Sequence, residues 1–285
     1  MLGIVGTVPD PDFPLVHGPV TWDGDRLTIA GRRVAVLRGT PALLAAALKA
    51  APCLGSPEIY AFLAGDIGKG QGSRQLYHFL EENLNDFDFQ VLTFHYLQPD
   101  VDWHNRVLFA IDDMPRRPVL IADAGFMYAA KMSGQAPAYD FFTPDAGELA
   151  FLADETAPHP FYTRGFILHE HNDVPELIRR AYRHGNAARH IVVKGSTDYI
   201  ANEHGILFSL DQPSHDAMEA IGGTGDTLTG LLTVLCGAGH PPQRAAFLAA
   251  QVNRRAGSFA KPTPATQVSE LIAHIPAALA HESAS

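Results

Sequence analysis

Cysteine is nearly absent: Cys53 and Cys236 are the only two in 285 residues, far apart and in no Cys-x-x-Cys spacing. That excludes a disulfide framework and points to a reduced, cytoplasmic setting. Runs of basic residues are lacking as well. None is longer than a pair such as Arg32-Arg33, and 21 Lys plus Arg against 31 Asp plus Glu leave a net charge of −10. Unaided binding to nucleic acid or to an anionic membrane is therefore not expected. Long hydrophobic runs are missing too. The most apolar stretches, Ala42 to Ala51 and Leu228 to Ala238, fall short of the ~20 residues of a membrane-spanning helix. Met1 to Pro14 carries neither the basic nor the apolar region of a secretory signal. A Walker A loop, G-x-x-x-x-G-K-[ST], occurs nowhere in the chain.

What is present is the balance of a globular protein, 46% hydrophobic and 18% charged. Short β-branched or aromatic runs alternate with segments of helical period from Arg33 onward. Strands are expected at Arg33–Arg38, Ile59–Ala64, Gln90–Phe94, Val119–Ala122, Phe141–Thr143 and Ile191–Lys194. Helices are expected after Thr40-Pro41, after Ser73, at Trp103–Ile111, Asp145–Leu152 and Val174–Arg183, and in three further stretches after Gly225. Thr197–Ala201 and Gly205–Leu210 read as a hairpin. The alternation predicts a three-layer α/β/α sandwich with a mostly parallel central sheet. With no low-complexity linker and no internal repeat, one domain over residues 1–285 is expected, residues 1–30 forming an irregular or edge hairpin segment.

The chemistry concentrates in Ile221-Gly222-Gly223-Thr224-Gly225-Asp226-Thr227-Leu228-Thr229-Gly230. Adjacent glycines let backbone N–H groups converge, and the helix that starts there adds its positive dipole end, so an anion hole forms without a basic side chain. Asp226, in the first helical turn, stands where it can take the proton of a hydroxyl that attacks a phosphoryl group. A capping role would explain the Asp but not the three glycines ahead of it. A second glycine-rich segment, Gly65-Asp66-Ile67-Gly68-Lys69-Gly70-Gln71-Gly72-Ser73, lies between a strand and a helix. Gly65 and Lys69 suit a second phosphate there and Asp66 a substrate hydroxyl, or the segment is a connecting loop. His169-Glu170-His171 offers no third metal ligand at a recognisable spacing.

Gly-Gly-Thr-Gly-Asp-Thr-Leu-Thr-Gly resembles the nucleotide-binding and catalytic signature of the ribokinase-like superfamily, and is most similar to its ADP- or ATP-dependent NAD(P)H-hydrate dehydratases. Val192-Val193-Lys194-Gly195-Ser196 is similar to the family's phosphate-holding strand and loop, and Thr143-Pro144-Asp145-Ala146-Gly147-Glu148 to its Thr-Pro-His-Pro-Gly-Glu. The resemblance covers about Val119 to the C-terminus. It implies phosphorylation of the hydroxyl of hydrated NADH or NADPH, followed by loss of phosphate. Asp226 would be the catalytic base. Lys194, Gly195, Ser196, Gly222, Gly223, Thr224 and Gly225 would hold the nucleotide, with Asp123 and Asp145 on the substrate and Glu148 on Mg²⁺. Three features depart from the pattern: Asp145 replaces His, Tyr96-Leu97-Gln98-Pro99-Asp100 stands where a Gly-Pro-Gly-Leu-Gly loop belongs, and Asp123 is one aspartate of an expected two. They leave open a kinase of the same fold acting on a sugar or hydroxymethylpyrimidine, and beyond that a silent nucleotide-binding regulator. The partner in the first two cases is a small molecule. Ala245–Ala250 and Ala277–Ala280 suit close helix packing or a homo-oligomer contact.

Overall fold

The computed structural model describes residues 1–157 and 173–284, so His169, Glu170 and His171 lie outside the described residues. The chain opens with β1 (Leu2–Val8) and an antiparallel meander, β2 (Val16–Trp22), β3 (Arg26–Ile29) and β4 (Arg32–Ala35). Strands and helices then alternate: α1 (Thr40–Leu54), β5 (Ile59–Gly65), α2 (Gln71–Asn83), β6 (Val91–His95), α3 (Val101–Asp112), β7 (Val119–Ala122), α4 (Ala124–Met132), β8 (Phe141–Phe142) and α5 (Ala146–Ala153). After α6 (Val174–Arg183) and β9 (His190–Val193) come the hairpin β10 (Asp198–Asn202) and β11 (Gly205–Leu210). Four helices follow, α7 (Thr224–Gly237), α8 (Pro242–Ala260), α9 (Val268–Ala273) and α10 (Ile275–Ala284).

One sheet runs β11-β10-β9-β8-β7-β6-β1-β5-β2-β3-β4. Its centre, β9 through β5, is parallel, and each flank is antiparallel. Side chains alternate across it with period two. Ile4, Val91, Ile121 and Val192 pack under α1, α7, α8, α9 and α10, while Val5, Leu92, Ala122 and Val193 pack under α2 to α6. The three-layer α/β/α sandwich read from the sequence is therefore what the chain adopts.

Several local details differ. The first strand is not an edge segment: β1 lies between β5 and β6 and all seven of its residues are buried. Its two glycines, Gly3 and Gly6, hid it, although strands buried on both faces read as continuous apolar runs rather than alternating ones. Only β2 and β3 are the edge structure anticipated. Thr40 does not cap α1. Gly39, at φ 69°, is the residue before the helix, which leaves the Thr40 hydroxyl free for His95. Ser73 likewise lies inside α2, and the C-terminal helix is two, α9 and α10. Helix α4 was not foreseen.

The contact between α1 and α7 positions the site. α1 is rich in alanine on its buried face (Ala42, Ala45, Ala46, Ala47, Ala50), and a Cβ on Gly230 of α7 would stand 2.3 Å from the Leu43 carbonyl oxygen. Only glycine permits that approach, which brings the start of α1 beside the start of α7. The alanines of α8 (Ala245, Ala246, Ala249, Ala250) are buried within the chain.

Candidate active site

All the parallel strands end at one edge of the sheet, and in such sheets ligands bind outside the carboxyl ends of the strands. Here that edge gathers His95 from the end of β6, Asp123 after β7, Thr143 to Asp145 after β8 and Lys194 after β9. The N-termini of α1 and α7 close over it.

Asp226 is the hub. Its residue is 9% exposed, its Oδ2 accepts the Gly39 N–H at 2.6 Å, and its Oδ1 lies 3.0 Å from His95 Nε2. His95 is 1% exposed and its other nitrogen, Nδ1, lies 3.0 Å from Thr40 Oγ1. A Thr40–His95–Asp226 chain thus fixes the carboxylate in one rotamer. Burial pushes the Asp226 proton affinity up, but His95, the Lys194 ammonium and the Gly39 N–H outweigh it and hold the carboxyl below its ordinary range. It is ionised at neutral pH, as a general base must be. Gly223 precedes the helix at φ 101°, and a Cβ there would meet Ala42, Val268 and the Arg38 backbone at 3.1–3.2 Å, so this glycine is required on both counts.

Behind Asp226 lies a second buried acid. Asp123, 1% exposed, receives the Lys194 ammonium on both oxygens at 2.9 Å, the Thr229 hydroxyl at 2.7 Å and the Ala124 N–H at 2.8 Å. Three donors making four hydrogen bonds surround it. It anchors Lys194 and α7 from below, a structural role beside the substrate contact expected of it. Burial pulls the Lys194 ammonium down, but Asp123, Glu148 and Asp226 outweigh it, and its pKa is raised above the ordinary lysine value. The lysine stem lies against the glycine loop, 3.3 Å from where a Gly225 Cβ would stand. Lys194 therefore reaches the site with its charge already paired.

The loop after β9 is held by Arg254 of α8. Its Nε donates to Asp198 Oδ2 at 2.6 Å and its Nη2 donates to the Gly195 and Ser196 carbonyls at 2.9 Å each, while Gly195 N–H donates to Asp198 Oδ1 at 3.0 Å. Gly195 and Ser196 remain exposed. Asp145 and Glu148 form a capping box on α5: the Asp145 side chain accepts the Glu148 N–H at 2.7 Å and Glu148 accepts the Asp145 N–H at 2.9 Å. The same Asp-x-x-Glu spacing thus has a local structural role besides the one read from the sequence. Burial raises the Glu148 carboxyl well above the ordinary carboxylate range; Lys194 opposes this, and Asp123 and Asp145 add to it.

Gly65, Asp66 and Lys69 do not join this cluster. Asp66 Oδ1 accepts the N–H groups of Gly68, Lys69 and Gly70, and its Oδ2 accepts the N–H and hydroxyl of Ser73, all within 2.8–3.0 Å. The chain's own carboxylate takes up these N–H groups, so Asp66 has a local capping role beside the substrate contact expected of it. Among the described residues no hydrogen bond or ion pair links this loop to Asp226, Asp123 or Lys194. The loop lines a separate cavity of about 180 Å³ with Tyr77, Gln98 and Asp100.

Sequence reasoning missed His95, Thr40, Gly39, Arg254 and Tyr96. A histidine ending the apolar strand Val-Leu-Thr-Phe-His was the available signal, since a polar residue at the carboxyl end of a parallel strand faces the ligand edge. Tyr96, half-exposed at φ 53°, sets its ring edge-on to His95 at 4.3 Å. Burial, then Asp226, Asp123 and Glu148, raise its hydroxyl pKa. His95, Asp123 and Asp226 also bring three donor atoms within 4.8 Å of one another, but Lys194, Thr229, Gly39 and the His95–Asp226 bond already engage them.

A mostly parallel sheet with an acid in the first turn of a glycine-led helix at its carboxyl edge defines an enzyme of the ribokinase-like class. The profile of the carbohydrate-kinase family, described as NAD(P)H-hydrate dehydratase, matches residues 102–277, and the chain belongs to that family. An uncharacterized protein of Methanocaldococcus jannaschii is 40% identical over 238 residues, 83% of this chain and 98% of that protein. Among solved structures, the fold is similar to the ADP/ATP-dependent NAD(P)H-hydrate dehydratase of Bacillus subtilis co-crystallized with ATP and Mg²⁺ (TM-score 0.56, 16% identity, 98% of this chain and 88% of that one). It is also similar to phosphofructokinase-2 of Escherichia coli in complex with fructose-6-phosphate (TM-score 0.55, 13% identity, 98% and 100%). No helix among the described residues is long and apolar enough to cross a membrane.

Proposed function

We propose that this chain restores hydrated NADH or NADPH at the expense of ADP or ATP. The observation that carries the reading is Asp226: ionised, fixed by His95 and Gly39, and set in the first turn of a helix whose glycine-rich start offers the N–H groups of Gly223, Thr224 and Gly225. In the first step the substrate hydroxyl oxygen bonds to the terminal phosphorus of the nucleotide. The bond to the bridging oxygen breaks with its electron pair on the leaving nucleotide, and the proton passes to Asp226. In the second step the carbon–oxygen bond breaks with its pair on the departing phosphate, and a ring proton is lost, giving back the dihydropyridine. The backbone N–H groups stabilise the phosphoryl oxygens throughout. Gly222 completes the loop, and Gly195 and Ser196, held by Arg254, face the nucleotide phosphates.

Mg²⁺ fits the residues present. Glu148 and Asp145 lie near Asp123 and Lys194, and burial first, then the negative charges of Asp123 and Asp145 against the pull of Lys194, raises the Glu148 proton affinity. Glu148 would hold the ion, through water and with Asp145 nearby, since hard cations prefer carboxylate and water. When bound, the ion neutralises charge on the nucleotide phosphates. The reading includes a single cytoplasmic domain that acts on a small molecule, alone or as a homo-oligomer.

A spectrophotometric assay at 340 nm with hydrated NADH, Mg²⁺ and either ADP or ATP tests it. Nucleotide-dependent growth of absorbance is expected. A flat trace beside an active control enzyme overturns the dehydratase and favours the second reading, a kinase for a small hydroxyl-bearing molecule. Tyr96 favours that second reading, because the segment Tyr96-Leu97-Gln98-Pro99-Asp100 departs from the family's Gly-Pro-Gly-Leu-Gly and sets an aromatic ring against His95.

A further inference from the structure

The glycine loop was read above as an anion hole without a basic side chain, yet the fold brings one to it. Arg38 immediately precedes Gly39, the residue whose N–H fixes Asp226. Its Cδ and Cβ lie 3.5 and 3.7 Å from where a Gly222 Cβ would stand, and its Cα lies 3.2 Å from the corresponding position on Gly223. The Arg38 backbone is held there by the Gly39–Asp226 bond and by the approach of α1 to α7 at Gly230. The side chain itself is exposed and makes no hydrogen bond or ion pair among the described residues. The other two cations near the loop are spent: Lys194 on Asp123 and Arg254 on Asp198. A guanidinium with five free donors, carried beside the glycine loop in a chain of net charge −10, has no partner in the fold among the described residues.

We propose that Arg38 is a catalytic residue that clamps the transferring phosphoryl group. This rests on the phosphoryl-transfer reading above and deepens it. As the acceptor oxygen bonds to phosphorus and the bridging bond breaks toward the leaving nucleotide, charge spreads over the equatorial oxygens. Arg38 donates N–H bonds to them without gaining or losing a proton, while Asp226 takes the hydroxyl proton. The glycines keep side chains out of the gap, so a planar bidentate fork reaches the phosphoryl and a lysine ammonium would reproduce only the charge.

The test is calorimetric titration of the full chain with Mg²⁺ and ADP, with and without aluminium fluoride as the phosphoryl mimic; AMP with the same mimic covers transfer from ADP. Wild type is expected to bind the nucleotide–fluoride pair at least tenfold more tightly than the nucleotide. Arg38→Ala is expected to lose most of that gain while its nucleotide affinity stays within about twofold, and Arg38→Lys to recover part of it. An unchanged thermal midpoint in both variants is expected, since the side chain has no partner. A gain retained in Arg38→Ala, an equal loss of both affinities, or no gain in wild type overturns the clamp. Absence of nucleotide binding in the wild type overturns the phosphoryl-transfer reading itself, and is seen before any variant is made.

Discussion

Replacing Arg254 with leucine isolates the most deeply buried charge pair near the site. Asp198 is 5% exposed and Arg254 7%, so neither can turn to solvent. Without the guanidinium, the Asp198 carboxylate keeps one N–H, that of Gly195, and the Gly195 and Ser196 carbonyls lose their donor. Removing one partner of a buried pair costs about 3–5 kcal/mol, a fifth or more of the roughly 5–15 kcal/mol that holds a domain folded. Urea unfolding of Arg254→Leu, Asp198→Leu and the double variant is the assay. The double variant should be more stable than Arg254→Leu, because it removes the orphaned charge and leaves the Gly195 N–H and the Gly195, Ser196 and Pro213 carbonyls without these partners. The pH dependence has a definite sign. Burial already raises the Asp198 carboxyl in the wild type against the pull of Arg254. In Arg254→Leu that pull is gone, so the folded value rises further above the unfolded one. Stability is then present at low pH and lost as pH climbs through that window, so the deficit against wild type should shrink toward pH 4. A loss below about 1 kcal/mol for Arg254→Leu, or a double variant costing the sum of the singles, would refute the reasoning.

Other outcomes follow from the same geometry. Asp226→Asn keeps an oxygen for the Gly39 N–H but cannot take a proton, so nucleotide-dependent turnover should fall at least a hundredfold with nucleotide affinity nearly unchanged. Turnover within threefold of wild type would contradict the assignment of the base. His95→Phe removes a hydrogen bond to a charged group, about 1.5–3 kcal/mol; at 1.36 kcal/mol per pH unit, the acid limb of the kcat/KM profile should move up by about one to two units. An unmoved limb would mean that His95 does not set the Asp226 proton affinity. Glu148 has a folded value raised above its unfolded one, so it costs stability as pH rises between the two. Glu148→Gln should therefore raise the thermal midpoint at pH 8 and leave it unchanged near pH 4, while weakening the dependence of turnover on Mg²⁺.

The alternation of strands and helices was legible because burial on both faces of a parallel sheet and the 3.6-residue period of its covering helices are local patterns. So was the Asp226 loop. Glycine at close-packed, positive-φ positions followed by an acid in a first helical turn is written in six consecutive residues, and Gly223 shows that the backbone requires it. Local patterns were less complete elsewhere. Asp66 sits in a loop whose composition suits a phosphate, but its own carboxylate, two to four residues ahead of three of the loop's N–H groups, already satisfies them at no cost in association. The family resemblance implied a substrate contact for Asp123, and only the arrival of Lys194 and Thr229 from far along the chain shows that it is also tied into the fold.

By itself, then, the sequence determined the layered α/β architecture, the glycine-led start of α7 and the acid in its first turn. Each depends on interactions within a few residues or on a period repeated along one element. Tertiary structure alone decided that β1 is central, that His95 and Gly39 hold Asp226, and that Arg38 lies over Gly222 and Gly223. Those contacts join residues up to 187 positions apart. They exist because glycine at Gly230 and the small face of α1 let two helices approach to backbone contact, a distance that no local pattern encodes.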